Sequence, residues 1–271
     1  MDIATLIGFV VGLGAIIGST ILEGGTPAAL INAPAALIVF GGTIGAALIS
    51  FPLKRIMAVP KAVVNAFTER GHDADEVVSH FVTMADRARR EGLLSLEEEG
   101  QRIDDPFLRK GILLMIDGTD PELLRSILEI DIDALEKRHE ESFGILEAAG
   151  GYAPTMGIIG TVMGLINVLS HLEDPSNLGH SIAVAFIATF YGVFSANIIW
   201  LPLANKLKKK SEEERRMREV MLEGIMSIQA GDNPRIVQEK LEGFLPPSMR
   251  GRDRRRGRED APVGETEQAA A

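Results

Sequence analysis

Lysine and arginine are absent before Lys54 and again between Arg138 and Lys206. Every basic residue therefore falls in one of two blocks, 54–138 and 206–258, and the silent stretches hold almost all of the long apolar runs. A chain sorted in this way is not patterned as a single soluble globule. In membrane proteins, short flanks rich in Lys and Arg stay on the cytoplasmic side. The pattern predicts an all-α polytopic protein of the bacterial inner membrane: two hairpins, four transmembrane helices and a helical cytoplasmic domain, with both termini cytoplasmic.

A bilayer core of about 30 Å needs roughly 20 apolar residues in a helix. Residues 3–22 and 30–51 meet that length around the turn Glu23-Gly24-Gly25-Thr26-Pro27, and together make a first hairpin over 1–51. Residues 153–171 and 181–203 make a second hairpin over 151–203, and the link between them, 172–180, has acid and turn formers but no Lys or Arg. The opening Met1-Asp2-Ile3 has no basic n-region, unlike a cleaved signal peptide.

Residues 52–150 read as a helical cytoplasmic domain. Asp105-Pro106 and Asp120-Pro121 are helix starts, an acid at the cap followed by Pro in the first turn. Ile132, Leu135, Phe143, Leu146 and Ala149 recur at roughly helical spacing, and predict a helix running on into the third span as one long rod. After the fourth span, 204–229 alternates charge with Met, Leu and Ile, as an amphipathic helix would. Gly231-Asp232-Asn233-Pro234 breaks that helix before a short last one ending at Leu245, so 204–245 forms C-terminal cytoplasmic helices. The tail 246–271, with GRDRRRGRED, has the composition of a disordered segment.

No Asp, Glu, Lys or Arg lies inside any of the four spans. Ionisable groups within a bilayer usually mark ion pathways, so this chain has no carboxylate of its own to carry an ion. A partner would have to bring one. Gly157, Gly160, Thr161 and Gly164 share a face of the third span. Gly160/Gly164, Gly8/Gly12 and Gly14/Gly18 have the GxxxG spacing that lets membrane helices approach closely. Thr189, Ser195 and Asn197 put polar groups on the fourth span, although such groups commonly bond their own backbone. Pro154 and Pro202 read either as helix boundaries, the commoner use of Pro, or as hinges between membrane and cytoplasm.

Arg89, Arg90 and Glu97 would ordinarily be a solvated face of little energetic weight. The chain has no cysteine, and its five histidines show no metal-ligand spacing; His171 and His180 only flank the outer turn. No nucleophile motif, phosphate loop or cofactor fingerprint is present. The residues give no reason to expect an enzyme, a cofactor or, with a net charge of −10, a nucleic-acid partner.

Several stretches together resemble one family. MDIATLIGFVVG, PAALIVFGGTIGA, ADRARREGLLSLEEE, DPFLRKGILLMIDGTDPELLR, APTMGIIGTVMGLI and ATFYGVFSANIIWLPLANKLK are similar to the flagellar motor stator family of MotA, PomA and MotP, over about residues 1–245. The resemblance implies a homo-pentamer surrounding two copies of a MotB-like partner, which carries the missing transmembrane Asp and a peptidoglycan-binding domain. It implies that Thr161 and Thr189 face that Asp, that Pro154 and Pro202 serve coupling, and that Arg89 and Glu97 engage the rotor protein FliG. Sodium-type members tend to have Thr-Thr where this chain has Ala188-Thr189, and Asp where it has Asn32. Both departures favour H+ over Na+ as the transported ion. The nearest rivals are Tol- and Ton-type energisers, which share the GTV and ATxxG helices but have three spans and an outside N-terminus. A non-conducting membrane scaffold is the rival from another class.

Overall fold

The computed structural model describes residues 3–68, 74–171 and 175–245. The tail from 246, the turn residues 172–174, His72 and the side chain of His180 lie outside the described residues. All regular structure among the described residues is helical, and four helices are long and apolar enough to cross a membrane.

The first span, α1 (Ile3–Leu22), coincides with its expected bounds. The second, α2 (Ala33–Ser50), starts three residues later than expected. Asn32 is the reason: its side-chain oxygen accepts a 2.9 Å hydrogen bond from the Ala35 N–H, and Pro34 sits in the first turn. Residues 30–32 therefore belong to the approach and cap, not to the helix. Leu37–Gly41 form a wider π turn inside α2. Two short helices follow, α3 (Leu53–Ile56) and α4 (Val59–Phe67). Next come α5 (Ala74–Glu91), α6 (Glu97–Arg102) and α7 (Pro106–Ile116).

The rod expected through the third span is α8 (Pro121–Ser170), fifty residues without a break. The fourth span begins in α9 (Pro175–Ser195), passes through a π turn at Ala196–Trp200 and continues as α10 (Leu201–Gln229). Gly231, with φ +73°, turns the chain into α11 (Pro234–Glu242), capped by Asn233. Both expected Asp caps are present. Asp105 accepts from the Leu108 N–H at 2.8 Å, and Asp120 accepts from the Glu122 and Leu123 N–H groups at 3.0 and 3.2 Å.

The helix-boundary reading of the prolines is corrected. Pro154 lies deep inside α8. Pro202 is the second residue of α10, directly after the π turn, where the Leu201 N–H reaches back five residues to the Ala196 carbonyl. A wide turn of this kind relieves the clash a Pro ring makes with the turn before it, so the helix carries on.

The chain divides into two compact units. One comprises Met1–Arg70 and Glu136–Glu212, the other Gly71–Leu135 and Glu213–Ala271. Residues 52–68 and 136–150 thus pack with the spans. There, Ala66, Leu146, Leu203 and Ala204 form a small core flanked by Val63, Phe67 and Trp200. The Lys210 ammonium donates to the Asn65 carbonyl at 2.8 Å and to that of Thr68, closing the end of α4. In contrast, α1 buries none of its residues, and Ile3, Leu6, Ile7, Val10 and Val11 are exposed along it.

The second unit has the larger core. Phe81, Met84, Leu96, Ile112, Met115, Leu124, Leu128, Met221, Ile225 and Leu241 are all fully buried. Each such side chain contributes about 1.5–3 kcal/mol relative to exposure, which allows this unit to hold its shape by apolar packing.

Candidate ion site and rotor face

The α8–α9 contact is made of backbone. A methyl built on Gly160 would lie 2.5 Å from the Ala188 Cβ, and one on Gly164 would lie 2.6 Å from the Ala185 Cβ. One on Gly157 would meet the Ala188 carbonyl at 2.9 Å, and one on Gly192 the Ala153 carbonyl at 2.6 Å. Real Cβ atoms do not approach so closely, so these glycines set the distance between the helices. The GxxxG spacing in α8 is therefore structural in the way its small face suggests. In α1 the same spacing does little of this: a methyl on Gly8, Gly14 or Gly18 would meet nothing within 4 Å, and one on Gly12 only the Ile198 side chain, at 3.3 Å.

This close approach brings Thr161 and Thr189 together. The Thr161 hydroxyl is 3.1 Å from the Gly157 carbonyl of its own helix, 3.0 Å from the Ala185 carbonyl of α9, and hydrogen-bonded to the Thr189 hydroxyl. Both side chains are half-buried. The other polar residues of the fourth span behave as self-bonded groups. Ser195 donates to the Gly192 carbonyl at 3.3 Å, and Asn197 to the Val193 carbonyl at 2.9 Å. Of the three candidates on that span, only Thr189 is held across helices. Pro154 lies on the same contact, its Cα 3.2 Å from the position of a methyl on Gly192.

Tyr191 is a residue that sequence reasoning missed. Its hydroxyl accepts from the Asn32 N–H at 3.0 Å and donates to the Leu30 carbonyl, tying α9 to the start of α2. Nothing in its sequence context separates it from an interfacial anchor. Ala188 is fully buried, grouped with Ala35 and Val39 of α2 and facing Gly160. A side chain at 188 therefore faces helix contacts, and Asn32 serves as a cap. In this chain Ala188 serves helix packing and Asn32 serves capping.

In the second unit, Arg89 lies in the last turn of α5 and Glu97 begins α6, both exposed, joined by Gly92 with φ +86° and a short turn. Their neighbours are neutralised locally. Arg87 pairs with Glu91 and Glu99, Arg90 with Asp86 at 2.9 Å, and Arg102 with Glu98. His80 sits 2.8 Å from Glu99. Among the described residues Arg89 and Glu97 have no ion-pair partner, so both charges are open to an external surface. Leu94, exposed, stands between them.

Comparison with known proteins agrees with this architecture. Residues 99–220 match the MotA/TolQ/ExbB proton channel family, and residues 6–92 match the N-terminal model of motility protein A. The chain is 41% identical to motility protein A of Bacillus subtilis (strain 168), over 91% of this chain and 92% of that protein. The chain belongs to the MotA/TolQ/ExbB family. It is thus a multi-pass membrane protein of a channel family, not an enzyme. It is also 36% identical to chemotaxis protein PomA of Vibrio alginolyticus, over 90% of this chain and 96% of that one. Its fold matches a chain of the flagellar MotAB stator complex from Bacillus subtilis with TM-score 0.85 and 40% identity, covering 93% and 98% of the two chains. A chain of C. jejuni MotAB matches with TM-score 0.86 and 33% identity, over 91% and 97%.

Proposed function

We propose that this chain is the MotA-type subunit of a flagellar stator, coupling ion flow across the inner membrane to torque on the rotor. The observation that carries the reading is the combination of spans free of acid and base with a hydroxyl pair held between the third and fourth spans, Thr161–Thr189. Such a wall can present polar groups to an ion-binding side chain but cannot titrate. The carboxylate comes from a MotB-like partner, and the similarity to MotAB complexes supports that assignment. Five copies form a ring around two partners, the uncovered apolar α1 faces lipid or neighbouring copies, and both termini lie in the cytoplasm. Arg89 and Glu97, which have no ion-pair partner among the described residues, engage FliG.

We assign H+ as the ion. The family is one of proton channels, and no further carboxylate stands in the spans to help strip water from Na+. The similarity to PomA keeps sodium as the second reading. A Tol- or Ton-type energiser is disfavoured by four span-length helices and by motility relatives matched over about nine tenths of the chain.

The test is co-expression with the MotB-like partner in a strain lacking stators. Swimming returns with the cognate pair, and Thr189→Ala stops rotation while the complex still assembles. Failure of any cognate pair to restore swimming refutes the stator assignment, and normal speed in Thr189→Ala refutes the pathway role.

A further inference from the structure

The end of α5 and the start of α6 carry more charge than one rotor-facing pair. The run Glu97-Glu98-Glu99 has three acids, and Arg87, Arg89 and Arg90 are three cations. The fold pairs all but one of each. Glu98 holds Arg102 at 2.5 Å, and Glu99 holds both His80 at 2.8 Å and Arg87 at 3.4 Å. Arg90 holds Asp86, and Arg87 also meets Glu91. Among the described residues this leaves Arg89 and Glu97 without an ion partner.

Glu99 differs from its two neighbours in bridging elements. A six-residue helix such as α6 has too few internal hydrogen bonds to hold itself. Leu96 beside it is fully buried, and Gly100 lies so close to α7 that an added methyl would meet Ile112 at 2.9 Å. Successive helix residues are about 100° apart, so Glu97 and Glu99 leave α6 on opposite flanks of this buried face. Leu96 and Gly100 set how deep α6 sits, and a tie on one flank is what stops it rolling. Glu99 supplies that tie. Its two oxygens accept from His80 Nε2 and Arg87 Nη1 of α5. A carboxylate only accepts, so the imidazole donates here whether neutral or protonated.

We infer that Glu99 is a positioning residue: tied to His80 and Arg87, it sets the rotation of α6 so that Glu97, alone of the three acids, is presented as a free charge across the Gly92 turn from Arg89. This rests on the proposed rotor contact of Arg89 and Glu97. Because Glu99 and Glu91 occupy Arg87, the face presents one cation and one acid in place of two cations.

The chain has no cysteine, so Arg89→Cys with Glu97→Cys carries two nitroxide labels at defined positions. Pulsed EPR reads their separation in the full complex with a cysteine-free partner, diluted with unlabelled chain. Chains that keep Arg89 and Glu97 are followed in parallel by torque under load in bead assays and by thermal melts. Glu99→Met keeps the side-chain length and removes both accepting oxygens; Glu99→Gln keeps one. In Glu99→Met the distance distribution broadens and torque falls several-fold, while the melt barely moves, since exposed ion pairs stabilise little. Glu99→Gln retains a narrow distribution and most of the torque. If Glu99→Met does not assemble, His80→Leu with Arg87→Met removes the same two contacts from α5 and carries the same expectation. An unchanged distribution in the assembled variant overturns the inference, as does equal broadening in Glu99→Gln or full torque despite broadening. A torque loss accompanied by a large fall in the melt marks Glu99 as merely structural and overturns it too. The rotor reading fails separately, through normal torque in Arg89→Glu with Glu97→Lys.

Discussion

Gly160→Ala tests whether helix separation sets the geometry of the threonine pair. The added methyl would lie 2.5 Å from the Ala188 Cβ, while its next neighbour, Ile38 Cγ2, is an ordinary 3.5 Å away. Carbon atoms rest at about 3.5–4.0 Å, so α8 and α9 must part by about 1 Å at this level. The 3.0 Å contact from Thr161 to the Ala185 carbonyl would then stretch to about 4 Å, beyond hydrogen-bond reach. Overpacking of this kind costs about 1–3 kcal/mol, offset by up to about 1 kcal/mol from the better helix propensity of Ala. Because the obstructing atom is a single methyl, Ala188→Gly in the same chain removes it. The assay is a double-substitution cycle, reading thermal stability of the purified complex and torque per stator unit in cells. Gly160→Ala should lose torque and, within that offset, stability, and the pair Gly160→Ala/Ala188→Gly should recover most of the torque, a non-additivity expected only of residues in contact. Wild-type torque in Gly160→Ala, or no recovery in the pair, refutes the reasoning.

Other consequences follow from the same contacts. Tyr191→Phe strands the Asn32 N–H and the Leu30 carbonyl and should destabilise the complex by about 1–3 kcal/mol in thermal melts. Arg89→Glu with Glu97→Lys should leave the melt unchanged, since neither residue has an ion partner among the described residues, yet weaken torque under load in bead assays; unchanged torque removes them from the rotor face. Lys240 donates to Asp232 at 2.7 Å. This hydrogen bond, with the Lys240 charge, holds the Asp232 carboxyl below its ordinary 3.8, and the same bond with the Asp232 and Glu223 charges holds the Lys240 ammonium above its ordinary 10.5, each against partial burial. The Asp232 contribution is present above 3.8 and lost as pH falls through its depressed value; the Lys240 contribution is present below 10.5 and lost as pH rises through its raised value. Lys240→Met should therefore lower stability by only about 0.5 kcal/mol, because the Lys side chain is 43% exposed. That loss should be level between about pH 5 and 9.

The spans were legible because a bilayer makes one uniform demand, and α1 meets it at its expected ends. The rod through α8 was legible from apolar spacing, and the breaks at Asp105, Asp120 and Gly231 from their cap and turn chemistry. The start of α2 was misplaced because the apolar run extends past its Asn32 cap. Pro154 was misread because Pro more often marks a helix end, whereas here it lies within a fifty-residue helix. The threonines were identifiable as a pair only through family resemblance. That Thr161 takes the Ala185 carbonyl, across a gap set by glycines from two helices, is a tertiary fact with no local signal. Arg87 has Glu91 four residues on, which the sequence shows, but its second partner, Glu99 on α6, comes from the fold.

The central claim is that this chain forms a wall that conducts only when a partner supplies a carboxylate. Proton uptake into sealed vesicles holding the purified chain alone, the chain with its MotB-like partner, and the chain with a partner whose membrane Asp is replaced by Asn measures this directly. The account predicts uptake in the second preparation alone. Uptake by the chain without its partner, or undiminished uptake with the Asn-bearing partner, contradicts it.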